Sequence, residues 1–69
     1  MSENHTITVN GEDRPCEPGT SISKLLEVMG LKPDRVAVEL NRRLVRTAQY
    51  GTELKAGDKV EIVTFVGGG

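Results

Sequence analysis

The chain has 69 residues, with one Tyr, one Phe and no Trp, so its core must be built mainly from Leu, Val and Ile. A body this small buries only about 60% of its unfolded surface and has little room for an enclosed pocket of roughly 300 Å³, which argues against an autonomous enzyme. A formal charge of −1 gives no long-range attraction to nucleic acid or to anionic lipid, so neither is expected as a partner.

Met1 to His5 is polar, with no apolar core and no basic run, so no targeting segment is expected. No apolar run approaches the roughly 20 residues that span a bilayer. A single cysteine, Cys16, cannot form an internal disulfide, which fits a reducing compartment. A cytoplasmic location is the resulting expectation.

Thr6-Ile7-Thr8-Val9 alternates polar and apolar residues, the pattern of a strand with one buried face. Asn10-Gly11 then supplies the two positive-φ positions of a type I′ hairpin. The return strand runs from Glu12 to about Glu17, and Pro15 marks it as an edge. Pro18-Gly19 breaks the chain and Ser21 is a good helix N-cap. Ile22, Leu25, Leu26 and Met29 form one apolar stripe of a two-turn helix, with Ser23, Lys24 and Glu27 on the wet side. Gly30 suits the C′ position and Pro33 prevents the helix from resuming.

Val36-Ala37-Val38-Glu39-Leu40 reads as the next strand, turned by Asn41-Arg42-Arg43 into a short return at Leu44-Val45. Arg46 to Lys55 loses periodicity, so irregular backbone with one 3₁₀ turn is expected there, Leu54 pointing inward. After the turn at Ala56-Gly57-Asp58, Lys59 to Val66 is a strand dense in β-branched residues. It leads directly into Gly67-Gly68-Gly69.

Glycine adds no packing and costs backbone order, so such a tail contributes nothing to a fold. It can extend, the last five residues reaching about 16–18 Å, and it can enter a slot too narrow for any side chain. What it would deliver there is the α-carboxylate of Gly69. The chain therefore reads as one body over residues 1–66 with a flexible glycine tail over 67–69. With the first and last strands parallel at the sheet centre and the helix across one face, the order predicts an α+β, β-grasp fold with a mixed sheet of four to five strands. If Val60 and Ile62 face the core, Glu61, Val63 and Phe65 face outward. Val63, Phe65 and Val66 are then the candidate partner-binding residues, next to the tail.

The residues also resemble a known family. Val9-Asn10-Gly11-Glu12, Gly19 to Leu26, Val36 to Asn41, Gly57 to Val63 and the closing Gly68-Gly69 are similar to ThiS, the ubiquitin-like sulfur carriers of thiamin thiazole synthesis. The likeness covers essentially the whole chain. It departs at Asn41-Arg42-Arg43, where a pair closer to Asn-Gly is expected, and in the third glycine, Gly67. The resemblance implies a cosubstrate rather than an enzyme, with no bound cofactor and a monomeric free form. A ThiF-type enzyme would use ATP to adenylate Gly69, sulfur from a persulfide donor would convert it to a thiocarboxylate, and a ThiG-type thiazole synthase would receive that sulfur. Two alternatives share the Gly-Gly end: a molybdopterin-type sulfur carrier, and a modifier joined to lysine through an isopeptide bond.

Other residues read as structural. Cys16 reads as a buried small hydrophobe rather than a reactive thiol. His5, with no nucleophile beside it in sequence, reads as a solvated residue at a strand start. Arg35, Arg42, Arg43 and Arg46 form a basic stretch opposite Glu12, Asp13 and Glu17, read as solvated surface. There is no metal-ligand cluster, phosphate loop or catalytic triad order in the sequence.

Overall fold

The structure is a computed structural model that describes residues 4–65. The expectations for Val66, Gly67, Gly68 and Gly69 lie outside the described residues. Six regular elements follow one another: β1 (His5–Val9), β2 (Glu12–Cys16), α1 (Ile22–Val28), β3 (Val36–Leu40), β4 (Arg43–Val45) and β5 (Lys59–Thr64). Short 3₁₀ turns occupy Pro33–Arg35 and Thr47–Gln49. The first of these was not expected; Pro33 presets its φ for such a turn.

The sheet order is β2-β1-β5-β3-β4. β1 and β5 are parallel, and all other pairings are antiparallel. This is the β-grasp arrangement expected from the sequence, with β5 at the centre. Both hairpins close through two residues of positive φ, Asn10 (52°) with Gly11 (84°), and Asn41 (52°) with Arg42 (71°). That is the type I′ geometry, whose twist matches the flanking strands.

Seven residues cannot sustain a helix alone, and α1 is held by its ends and its buried face. The Ser21 hydroxyl accepts a hydrogen bond from the Lys24 amide at 3.1 Å, satisfying one orphan N–H of the first turn. Gly30, with φ 75°, follows the C-cap Met29 and terminates the helix. Ile22, Leu25 and Leu26 are buried against Ile7, Val9, Val36, Val38, Val60 and Ile62 of the sheet, and Met29 is half-buried beside them. Leu54 and Tyr50 complete the core from the irregular segment. Leu54 was expected inside; Tyr50 was not singled out by any periodicity.

Candidate functional site

The candidate site is built on β5. Its residues alternate, with Val60 and Ile62 buried and Glu61 and Val63 exposed, so the strand has one face in the core and one in solvent. Phe65 continues the outward set beyond the strand end, and its amide donates to the Arg35 carbonyl at 2.9 Å. Val63 is 60% exposed and Phe65 56% exposed, so both candidate docking side chains face solvent as expected. Val66, the third, lies outside the described residues.

The antiparallel register enlarges this patch. Ala37 lies opposite Val63 and Glu39 opposite Glu61, with Leu44 on the far side of Glu39. Leu44 is 68% exposed and joins the same outer sheet face; the sequence reading had placed it only in a short return strand. Its signal was the alternation with half-buried Val45. The result is an apolar strip interrupted by two carboxylates, on the sheet face opposite α1. Exposed apolar side chains grouped in this way mark interaction surfaces.

Asn10 holds the start of this outer strip. Its carboxamide accepts from the Ile62 amide at 2.7 Å and donates to the Ile62 carbonyl at 3.2 Å. β1 ends at Val9, so the side chain replaces the missing neighbour strand at that one residue. The sequence singled out Asn10 for its turn conformation, and this second task carries no sequence signal. Asn41 acts similarly at the other end of β5, its side chain accepting from the Lys59 amide at 2.9 Å and donating to Asp58 at 3.1 Å.

The remaining candidates are placed away from this face. Cys16 is buried, as expected of a small hydrophobe. His5 is not the solvated residue that the sequence suggested. It shares the inner face with Ile7 and Val9 by strand alternation, stands opposite Cys16, and its Nε2 is buried without a hydrogen-bond partner among the described residues. Glu12 and Asp13 lie on β2 at one edge of the sheet, with Glu17 just beyond it. At the other edge lie Arg43 on β4, with Arg42 and Arg46 flanking it. These side chains form no ion pairs among the described residues, where the recorded pair is Lys24–Glu27 at 3.3 Å. Open grooves flank the body among the described residues. One, of about 300 Å³, lies between β2 and α1. Another, of about 380 Å³, is lined by Gly30, Leu31, Lys32, Arg35, Val36, Thr64 and Phe65, at the point where the chain leaves β5. Among the described residues no group of three His, Cys, Asp or Glu could hold a metal ion, and no helix is long and apolar enough to cross a membrane.

Comparison with known proteins covers nearly the whole chain. A model of the ThiS family matches residues 7–69. A thiazole synthase from Magnetococcus marinus is 42% identical over 64 residues, 91% of this chain but 20% of that protein. The uncharacterized protein ycf40 of Pyropia yezoensis is 42% identical over 70 positions, covering 100% of this chain and 99% of its own length. The crystal structure of the thiamine biosynthesis protein (ThiS) from Geobacter metallireducens superposes with a TM-score of 0.71 at 35% identity, covering 93% of this chain and 99% of that one. The chain thus spans about a fifth of the thiazole synthase and nearly all of the ycf40 protein.

Proposed function

The chain belongs to the ThiS family, and from that premise we propose that it is a sulfur carrier of thiamin thiazole biosynthesis whose working group is the carboxylate of Gly69. The observation that carries the reading is the course of β5. The central strand and the residue that follows it present Val63 and Phe65 to solvent shortly before the Gly67-Gly68-Gly69 sequence. A rigid body with an apolar face beside such a sequence suits delivery of a chain end into another protein.

The chemistry follows from what a carboxylate lacks. It is a poor electrophile and must first be joined to a good leaving group. A ThiF-type partner would direct a Gly69 oxygen onto the α-phosphorus of ATP, releasing pyrophosphate and leaving an acyl adenylate. The terminal sulfur of a persulfide donor would then attack the acyl carbon and displace AMP. Cleavage of the resulting acyl disulfide by a thiol would leave the thiocarboxylate. Glycine at positions 67 to 69 keeps side chains away from the acyl carbon, so that the partner's groups can surround it. The carrier contributes reach and identity, and no catalytic residue of its own is assigned.

A thiazole synthase is the proposed recipient of the sulfur. The similarity of a fifth of the Magnetococcus marinus thiazole synthase to this chain supports that link, because it places a carrier-like segment in one polypeptide with a protein of that name. Deleting Gly69 tests the reading. The truncated protein should keep its circular dichroism spectrum and melting midpoint, while ATP–pyrophosphate exchange with the cognate ThiF-type enzyme should vanish. Exchange at the full-length rate would refute it.

A further inference from the structure

The backbone of β5 runs out of neighbours on one side before it ends. Phe65 donates to the Arg35 carbonyl and Asn41 donates to the Lys59 carbonyl, which makes the odd-numbered residues of β5 the hydrogen-bonded partners of β3. The N–H and C=O groups of Val60, Ile62 and Thr64 therefore point the other way, towards the lane of β1. In that lane the Val60 carbonyl accepts from the Asn10 amide at 2.9 Å, and both backbone groups of Ile62 are taken by the Asn10 side chain. β1 has by then turned back into β2. Thr64 is exposed, and neither its N–H nor its C=O has a partner among the described residues.

An unpaired strand edge is a template for another strand, and strand addition is a recurring mode of peptide recognition. We propose that an extended segment of the activating enzyme pairs with the Thr64 edge of β5, in the lane that β1 vacates, and so aligns the following residues with the catalytic slot. This rests on the carrier reading above, because the partner that takes the chain end must pass along this edge. The groove of about 380 Å³ beside Thr64 and Phe65 specifies the segment further. Half-buried Leu31 supplies an apolar wall, and Lys32 and Arg35 supply two cations with no ion-pair partner among the described residues. Thr64 itself lines this groove, so the segment that complements it carries an acidic residue flanked by apolar ones.

Thr64→Pro removes the edge N–H while leaving the β3 pairing intact, since that N–H has no partner among the described residues. Proline is tolerated where a strand's N–H faces solvent. A semisynthetic ester in place of the Val63–Thr64 amide makes the same deletion without a ring. Both proteins should melt like the parent and bind the cognate ThiF-type enzyme at least tenfold more weakly by calorimetry, whereas Lys32→Glu with Arg35→Glu should weaken binding without altering the melt. Equal affinity of the parent and the ester variant would overturn the proposal. So would loss of a concentration-dependent dimer in the ester variant with enzyme affinity retained, which would assign the edge to a second copy of this chain. Failure of the parent itself to bind the enzyme would instead sink the carrier reading.

Discussion

Arg42 holds φ 71° at the second loop position of the β3–β4 hairpin, a region that costs a residue with a Cβ roughly 1–2 kcal/mol. The equivalent position of the β1–β2 hairpin is Gly11. Arg42→Gly should therefore stabilise the protein by about 1 kcal/mol, less the extra freedom that glycine adds to the unfolded chain. Urea titration with an unchanged slope would show it, and a lower midpoint would mean that the Arg42 side chain makes a compensating contact. Asn10 is the converse case, a residue whose side chain does more than permit its turn. Asn10→Gly keeps the left-handed backbone but leaves both part-buried Ile62 groups unpaired, so it should lose about 1–3 kcal/mol. A neutral result would show water satisfying Ile62 equally well. The turn at Asn10 was legible because positive φ selects few residue types. Its bonds to Ile62 join positions 52 apart in sequence, and local pattern carries no trace of them. His5 was misplaced for a related reason. Its polarity suggested solvent, but strand alternation from Ile7 and Val9 turns it inward.

At the level of elements, α1 and β5 divide the work between stability and presentation. Leu26 is fully buried at the centre of the helix's apolar face. Leu26→Ala should cost about 2–5 kcal/mol, a large fraction of what a domain of this size possesses; an unchanged thermal midpoint would remove Leu26 from the core. Phe65 belongs to the outer face, so its replacement should read out differently. Phe65→Asp is expected to leave the melting midpoint within a few degrees of the parent and to weaken binding to the activating enzyme by about tenfold or more, measured by calorimetry. Normal affinity would place the interface elsewhere. The helix stripe and the alternation in β5 were readable because one face of each is buried, which imposes a period of 3.6 or 2 on the residues. The segment between Arg46 and Lys55 has no such face. Tyr50 is buried there by the turn at Thr47–Gln49 and by the hydrogen bond from the Ser23 amide to its carbonyl at 2.8 Å, neither of which leaves a repeating signal.

For the molecule as a whole, the topology puts β5, the last regular element among the described residues, at the centre of the sheet, flanked by β1 and β3. Forces on the residues that follow are thereby borne by the most supported strand, while α1 covers one sheet face and leaves the other for a partner. The pairing of first and last strands could be anticipated from their regularity. The fact that β1 overlaps β5 only at Thr8–Lys59 and Val9–Val60 could not, because register across the sheet is set by the intervening hairpin and helix. That short overlap leaves Thr64 without a partner strand on that side among the described residues.

In the proposed function, the protein works by having its Gly69 carboxylate charged with sulfur. Intact-mass analysis of the protein purified from its native cell, under non-reducing and thiol-free conditions, tests it most directly. A species with one oxygen replaced by sulfur, localised by fragmentation to Gly69 and lost when the cognate ThiF-type enzyme is deleted, is the predicted result. A protein found only with an unmodified carboxylate, or with Gly69 joined to lysines of other proteins, would contradict it.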